Sequence, residues 1–269
     1  MAKLEKNYKF KLSIITVNLN NKKGLQKTID SVISQTCQDF EWIIIDGGSI
    51  DGSKDLIDKY QDHIDYWVSE PDKGIFNAMN KGIMTSNGEY LLFLNSGDCL
   101  YDENVIDKNI NLLTDYDIYY GIEIRDNKLF DNKIRGLLDN EQILYIFTFS
   151  FFPHQSSFFK KSLFYQNGFY NENYSLAADE YFYFKVLILG EATIFGLSSI
   201  ISIYEGGGVS TLKFEDYKRE LRYFFNEKPR ILYLLEFYKK NLEILKSIKK
   251  SNLSFFLFRI YLWFNRKIF

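Results

Sequence analysis

The residues Ser69–Asp98, SEPDKGIFNAMNKGIMTSNGEYLLFLNSGD, decide the fold of this 269-residue chain. They form a charged turn, then a helical pattern, then an apolar strand that runs into the carboxylate of Asp98. Two earlier stretches, Leu12–Asn18 and Glu41–Ser53, also read as buried strands that end in small and polar residues. Strands and helices that alternate at this spacing predict right-handed βαβ units. We therefore predict an α/β fold with a Rossmann-like, mostly parallel sheet flanked by helices.

The second half of the chain departs from this regular alternation. A helix is predicted from Val105, and the turn residues Asp126 and Asn127 separate two apolar runs that predict a hairpin. Further on, the pattern predicts a strand, an apolar helix and two short strands over Ser156–Phe159, Asp179–Leu189, Thr193–Leu197 and Ile200–Tyr204.

Composition narrows the class of protein. The net charge of −2, with 25% charged residues, gives no overall field for nucleic acid. The two cysteines have no metal or redox spacing, which indicates a reducing compartment. The N-terminal segment is too charged for a signal peptide, and no stretch reaches the ~18 uncharged apolar residues of a membrane span. We predict a cytoplasmic protein.

The C-terminal segment has a different character, and we predict a helical extension over residues 213–269. From Lys239 to Phe269 there are eight Lys or Arg residues and one acid, Glu243. Within it, Ser254–Phe264 is strongly aromatic with one internal charge, Arg259. A basic amphipathic helix of this kind favours contact with the inner face of the cell membrane. The alternative is a helix packed on the domain or on a second subunit in a homodimer.

Polar residues at the strand ends predict the site. In open α/β sheets, ligands bind beyond the carboxyl ends of the strands. Thr16 and Asn18 end the first strand, although ordinary strand-end polarity explains Thr16 equally well. Asp46 ends the second strand before two glycines, and its carboxylate can accept from a base imide or a ribose hydroxyl. Together with Asp98 these residues predict a nucleotide site with a metal.

Five sequence blocks occur in a characteristic order: SIITVNLN, IIIDGGSIDGS, EPDKGIFNAMNKGI, YLLFLNSGD and AADEYFYFKVLILGE. On these blocks the chain resembles the family 2 glycosyltransferases from about Leu12 to Ser210, above all the branch that makes bacterial surface polysaccharides. The resemblance implies a GT-A domain over residues 1–212. Its nucleotide-binding half would be residues 10–100 and its acceptor half residues 101–212.

The resemblance also implies a donor site for a nucleotide-diphosphate sugar, most simply a UDP-sugar. The remaining donor-binding residues that it implies are Asp72, Lys73, Asn80 and Asn95. The chain departs from the family at Gly47, where an Asp is common, and at Met79, where many relatives have Arg.

The family's acidic triplet is reduced here to Asp98. Mg²⁺ and Mn²⁺ commonly take one or two protein carboxylates together with substrate phosphates. The resemblance therefore implies that one of these ions is a cofactor, held by Asp98 and the donor.

The acceptor half carries the chemistry of transfer. In an inverting reaction a base takes the proton of the attacking hydroxyl. By resemblance, Asp179 in ADEYF is that base, with Glu180 beside it; a helix N-terminal acid favoured by the dipole is the alternative for Asp179. His154 and Gln155, in FPHQSS, are implied to face the donor or the acceptor.

These features predict an inverting glycosyltransferase. Its acceptor would be a glycan or lipid-linked oligosaccharide, in extracellular or capsular polysaccharide or lipopolysaccharide biosynthesis. One alternative is a non-catalytic scaffold subunit of a polysaccharide assembly complex, which the reduced acidic triplet favours. A nucleotidyltransferase would need a glycine-rich, Arg-bearing loop after the first strand, and NLNNKKG argues against it.

Overall fold

The computed structural model describes residues 8–204, together with Asp216 and Glu220. Within these residues the strands are β1 Phe10–Asn18, β2 Glu41–Asp46, β3 Tyr66–Ser69, β4 Gly88–Phe93, β5 Cys99–Leu100, β6 Ile118–Arg125, β7 Lys128–Phe130, β8 Gly136–Leu137, β9 Ser157–Lys160 and β10 Ile194–Tyr204. The α-helices are α1 Lys22–Ile33, α2 Ser53–Lys59, α3 Ile75–Thr85, α4 Val105–Ile110, α5 Asn140–Phe149, α6 Ser162–Asn167 and α7 Ala178–Phe184.

One sheet contains all of these strands in the order β3-β2-β1-β4-β9-β6-β10-β5, with β7 beside β6 and β8 beside β10. Strands β1 to β4 pair in parallel, and β10 pairs in parallel with β6. Strand β9 lies antiparallel between β4 and β6. The carboxyl ends of the parallel strands and the amino end of β9 therefore meet at one edge. This arrangement confirms the predicted α/β class.

Burial on both faces explains why the first strands are apolar throughout. Along β1, Ile15 and Val17 pack into a core with α3, α5 and α7, whereas Leu12 and Ile14 pack into a second core with α1, α2 and α4. Parallel strands covered on both sides lack the polar alternation of a half-exposed sheet. Leu12, Ile14 and Ile15 have no exposed surface.

The second half corrects several sequence expectations. The hairpin at Asp126-Asn127 is confirmed by the pairing of β6 with β7. The two short strands predicted over Thr193–Leu197 and Ile200–Tyr204 are wrong, because β10 is one strand whose register shifts absorb the polar step between them. Helix α5 was not predicted; it begins with a capping box in which Asp139 and Gln142 bond reciprocally. Helix α7 continues into a π-helical turn.

Among the described residues, no helix is both long and apolar enough to cross a bilayer. The predicted extension over residues 213–269 lies outside the described residues except for Asp216 and Glu220. Its membrane contact and its alternative role in a homodimer stay predictions.

Candidate active site

Asp98 lies in a tight turn after β4 that helix α1 holds in place. The Thr28 hydroxyl donates to the Asp98 carbonyl at 2.8 Å and accepts from the Gly97 amide at 3.0 Å. Gly97 has φ +106°, a conformation that favours glycine. The turn leaves the Asp98 side chain 5% exposed at the carboxyl edge of the sheet. The backbone of the Asp98 turn is thus held by the Thr28 side chain of α1.

His154 and Asp179 form a close pair of ionisable groups at this edge. His154 Nδ1 lies 2.8 Å from Asp179 Oδ2, and the two side chains are 14% and 17% exposed. Burial lowers the pKa of His154, but its hydrogen bond to Asp179 and the charges of Asp179, Asp98 and Glu123 outweigh burial and raise it. The other oxygen of Asp179, Oδ1, is buried without a hydrogen-bond partner in the described part of the chain. Within the described residues, Asp179 therefore uses only one of its two carboxylate oxygens.

Asn95 connects this pair to the Asp98 turn. Its Nδ2 lies 3.4 Å from His154 Nε2, and its Oδ1 is buried with no partner among the residues described. The carboxamide can present its amide to a neutral imidazole or its oxygen to an imidazolium. The Asn95 carbonyl also accepts from the Asp98 backbone amide at 2.9 Å. Asn95 therefore contacts both His154 and the Asp98 turn.

Asp46 organises the loop that follows β2 from inside. Its carboxylate accepts from Asn18 Nδ2 at 2.7 Å and from the Ser49 and Ser69 hydroxyls at 2.6 Å each. The Ser49 and Gly48 amides add bonds at 2.9 and 3.2 Å. Burial raises the pKa of Asp46, and these hydrogen bonds outweigh it and lower the pKa. Because Asp46 has no exposed surface, the observed role of its carboxylate is to shape the loop, and a direct nucleotide contact stays a prediction.

Asp72 fills the space that Gly47 leaves open. A Cβ on Gly47 would lie 2.6 Å from Asp72 Oδ2, and Asp72 Oδ1 accepts from the Gly74 amide at 2.8 Å. The carboxylate of Asp72 thus stands beside the position where relatives often carry a second Asp. Lys73 is exposed next to it, with no ion pair among the residues that the structure describes. Contact of either side chain with a nucleotide stays a prediction.

Three other residues that were predicted to contact a ligand have buried side chains. The Thr16 hydroxyl is fully buried and accepts from Trp42 Nε1 at 3.1 Å. Asn80 bonds to both backbone groups of Tyr170, donating to the carbonyl at 2.9 Å and accepting from the amide at 3.0 Å. Gln155 is 5% exposed in the turn before β9. The structure gives Thr16 and Asn80 structural roles, and donor contacts by their side chains stay predictions.

Glu180 follows Asp179 in the first turn of α7 and is half-buried. Consecutive helical residues point in different directions. The structure accordingly pairs only Asp179 with His154.

Glu123 and Arg125, near the end of β6, belong to the same charged cluster and were missed from the sequence. The Glu123 side chain is fully buried, and its Oε1 lies 2.8 Å from Arg125 Nε. Burial raises the pKa of Glu123, while the charge and hydrogen bond of Arg125 and the charge of His154 oppose the rise. In the sequence IYYGIEIR a single Glu looks like an ordinary solvent-facing position. It is buried where β7 and β10 pair with β6 on either side of it, at Phe130 and Ser202.

Glu220 reaches the site from the C-terminal segment. Its carboxylate accepts from the backbone amides of Ser175, Leu176 and Ala177 at 2.9, 2.8 and 3.1 Å, and from the Ser175 hydroxyl. These residues lead directly into α7 and Asp179. One side chain therefore fixes the backbone that delivers the predicted base.

The fit of a divalent cation depends on Asp98. Burial raises the pKa of its carboxyl to about 7, with the charges of His154 and Arg125 opposing the rise and that of Glu123 adding to it. In the described residues no three His, Cys, Asp or Glu side chains converge as a cation site. A desolvated single carboxylate fits an ion that takes its other ligands from a donor diphosphate and water. The residues fit Mg²⁺ or Mn²⁺ only in that shared form.

Comparison with known proteins identifies the family. The family model described as "Glycosyl transferase family 2" matches residues 13–170, which include the loop after β2, the Asp98 turn and His154. The chain belongs to glycosyl transferase family 2. It is 32% identical over 184 residues to an uncharacterized glycosyltransferase of Mycobacterium tuberculosis, covering 67% of this chain and 70% of that protein. It is 31% identical over 173 residues to a PGL/p-HBAD biosynthesis glycosyltransferase of Mycobacterium bovis, covering 62% and 66%.

Solved structures confirm the GT-A glycosyltransferase fold. The S. aureus TarS structure matches with a TM-score of 0.63 at 18% identity, covering 73% of this chain and 37% of TarS. A TarS 1–349 complex with UDP-GlcNAc matches with a TM-score of 0.61 at 17% identity, covering 76% and 60%. The mannosyltransferase PcManGT from Pyrobaculum calidifontis, in complex with GDP-Man and Mn²⁺, gives 0.63 at 14% identity, covering 84% and 68%.

Proposed function

We propose that this glycosyltransferase is an inverting enzyme that transfers a sugar from a nucleotide-diphosphate sugar to an acceptor hydroxyl. The observation that carries the proposal is the Asp179 carboxylate, oriented through Oδ2 by His154 and left unpartnered at Oδ1. Asp98 lies in the same charged cluster, because its charge contributes to the pKa of His154. The His154 imidazole therefore interacts both with the proposed base, Asp179, and with the proposed diphosphate site at Asp98.

The step balances as a single displacement. The acceptor oxygen attacks the anomeric carbon, the bond from that carbon to the diphosphate oxygen breaks, and its electron pair leaves with the diphosphate. The hydroxyl proton passes to Asp179 Oδ1. His154 stabilises the orientation of Asp179 throughout. A divalent ion, when bound with the donor at Asp98, would supply charge neutralisation for the leaving diphosphate.

The donor is proposed to be a UDP-sugar. TarS 1–349 was solved with UDP-GlcNAc, which supports this choice, while PcManGT was solved with GDP-Man and makes GDP the competitor. The acceptor is proposed to be a glycan or lipid-linked oligosaccharide of a bacterial surface polysaccharide. Similarity to a PGL/p-HBAD biosynthesis glycosyltransferase supports a surface glycan. A cytoplasmic location, with peripheral contact at the inner face of the membrane, belongs to the same proposal.

Donor binding is tested by thermal shift with UDP and GDP, each with and without Mn²⁺. A ligand that binds only the native state raises the melting temperature by mass action. We expect a metal-dependent shift with UDP that Asp98→Ala removes. A shift with GDP alone would reassign the base, and no shift with either nucleotide would favour the scaffold alternative.

Catalysis is tested by release of UDP from a panel of UDP-sugars. We expect Asp179→Asn to lower turnover by at least about 10²-fold, the contribution typical of a positioned base, with donor affinity unchanged. Glu180→Gln, the matched change one residue away, is expected to keep most of the turnover. If Asp179→Asn retained full turnover, the assignment of the base would be wrong.

A further inference from the structure

Arg125 presents unused hydrogen-bond donors at the carboxyl edge of the sheet. Its Nε bonds to Glu123 Oε1 at 2.8 Å, and its side chain is 32% exposed. Its two terminal nitrogens have no hydrogen-bond partner among residues 8–204, Asp216 and Glu220. Because Glu123 takes only the Nε side of the guanidinium, the Nη pair remains available as a two-pronged donor.

Three aromatic rings hold this guanidinium in place. Arg125 Cζ lies 4.5 Å from the ring centroid of Phe151, 4.6 Å from that of Tyr204 and 5.7 Å from that of Phe130. The Phe130 and Phe151 rings stack on each other at 4.2 Å. Cation–π contacts of this kind reduce the freedom of a long side chain. A cation fixed in this way loses little additional entropy when it binds a ligand.

The strand register places Arg125 level with Asp98. Strand β10 pairs Ile203 with Cys99 on β5 and Tyr204 with Arg125 on β6. One step beyond the β5 pairing, Asp98 falls opposite Tyr204. The backbones of Asp98 and Arg125 therefore lie on either side of β10, with their Cα atoms about 10 Å apart across two strand spacings.

Electrostatics agrees with this placement. Burial raises the pKa of Asp98, and the charge of Arg125 is among the effects that oppose the rise. The buried Glu123 keeps the guanidinium directed along the edge while its own Oε2 lacks a partner among the residues described. This edge of the sheet therefore carries two complementary groups. The Asp98 carboxylate can share a divalent cation with a donor, and the fixed Arg125 guanidinium can bind the diphosphate beside that cation.

We propose that Arg125 binds the diphosphate of the nucleotide donor through its Nη groups. The proposal rests on the proposed function, since it names a further residue of the same donor site. Planar guanidinium forks bind phosphate oxygens in pairs and stay charged at all accessible pH values. This chain has Met79 where many relatives carry Arg and only Asp98 in the acidic triplet. Arg125 supplies positive charge at the leaving group from a different strand.

The test compares the affinities of UDP, UMP and uridine by calorimetry in Mg²⁺ and in EDTA. Arg125→Met keeps the length of the side chain but removes its charge, and Arg125→Lys keeps the charge without the fork. Removing Arg125 leaves Glu123 buried without its partner, so the double variant Glu123→Gln/Arg125→Met guards against misfolding. Arg135→Met is the matched control, because Arg135 bonds both oxygens of Asp131 outside the cluster.

We expect Arg125→Met and the double variant to bind UDP at least tenfold more weakly than wild type, with uridine affinity unchanged within twofold. Arg125→Lys should recover part of the loss, and Arg135→Met should match wild type. UDP affinity within twofold of wild type in a folded Arg125→Met variant would overturn the proposal while leaving the proposed function intact. Wild type that binds neither UDP nor GDP would overturn both.

Discussion

His154 donates from Nδ1 to Asp179 Oδ2 at 2.8 Å, which joins the turn before β9 to the first turn of α7. Neither element is close to the other in sequence. This hydrogen bond connects the His154 turn to the predicted base. A proton on His154 is held by Asp179 and by the charges of Asp98 and Glu123. Because these groups raise the pKa of His154, folding and the ionisation of His154 are linked.

The first prediction concerns the pH dependence of stability. Because the folded pKa of His154 is raised, its contribution is full below the unfolded value of about 6.5 and is lost as pH rises through the folded pKa. We expect wild type to have a higher free energy of unfolding than His154→Gln. The difference between the two proteins should be larger at pH 6 than at pH 8.5. Urea titrations at both pH values measure this. A pH-independent difference would show that the imidazole is not protonated in the fold.

The second prediction is that Asp98→Asn stabilises the metal-free protein at high pH. Burial raises the Asp98 pKa from 3.8 to about 7, so stability falls as the pH rises through that interval. At ~1.4 kcal/mol for each unit, the gain of Asp98→Asn at pH 8 is bounded at roughly 4 kcal/mol and vanishes towards pH 4. Thermal unfolding in EDTA measures it.

The control for this prediction is Asp102→Asn, the same substitution at an ion-paired carboxylate. The hydrogen bond to Lys108 lowers the pKa of Asp102, so its ionised form adds stability that is present above pH 4 and is lost at lower pH. We expect Asp102→Asn to destabilise slightly at pH 8, by less than about 1 kcal/mol. Asp98→Asn and Asp102→Asn shifting in the same direction would contradict the burial argument.

The third prediction separates two asparagines on one face of α3. Asn80 is buried and bonds to the Tyr170 backbone and to Glu172, whereas Asn77 is half-exposed and bonds to Glu172 and to the Lys73 backbone amide. Asn80→Asp removes a buried donor and places a carboxylate against Glu172, which should cost about 2–3 kcal/mol. Asn77→Asp makes the same chemical change near solvent and should cost under about 1 kcal/mol. Equal losses in the free energy of unfolding, measured by urea titration, would contradict the structural role of the Asn80–Tyr170 hydrogen bonds.

The sequence was sufficient to predict the parallel sheet and the strand ends that carry the site. The apolar runs before Asn18, Asp46 and Asp98 predicted β1, β2 and β4, because strands buried on both faces need continuous apolar sequence. The position of Glu123 was not predictable, since its burial depends on which strand lies beside β6. The pairing of β10 with β6, which places Ser202 opposite Glu123, is long-range, and local pattern does not encode it.

The roles of individual polar residues were also beyond the sequence. Asp46 and Asn80 both look like ligand contacts in a motif, yet their hydrogen bonds are with Ser49, Ser69 and the Tyr170 backbone. Whether a polar side chain serves the fold or a ligand depends on which donors the tertiary structure brings near it. The His154–Asp179 pair was likewise not predictable from the sequence, because its two residues are 25 positions apart.

The fourth prediction tests the carboxylate beside Gly47. Gly47→Ala would place a Cβ 2.6 Å from Asp72 Oδ2 and 3.2 Å from Leu19 Cδ1, so the Asp72 side chain must move. We expect UDP affinity to fall about tenfold, roughly 1.4 kcal/mol. The double variant Gly47→Ala/Asp72→Ala should bind no worse than Asp72→Ala alone, because both changes act through one carboxylate. Additive losses would show that Gly47 acts independently of Asp72.

The fifth prediction is that Glu220 sets turnover without affecting donor binding. Its carboxylate accepts from three consecutive backbone amides that lead into α7, and Glu220→Gln turns an amide group toward donors that then lack an acceptor. We expect a stability loss of about 1–3 kcal/mol. The Asp179 backbone would be less firmly held, so UDP release should slow with UDP affinity unchanged.

The control is Glu89→Gln, which removes a carboxylate paired with Lys11 at the opposite end of β4. Calorimetry with UDP and a UDP-release assay on both variants separate binding from turnover. A loss of UDP affinity in Glu220→Gln would assign Glu220 to the donor site. Unchanged turnover would mean that the Ser175–Ala177 backbone holds its position by its other contacts.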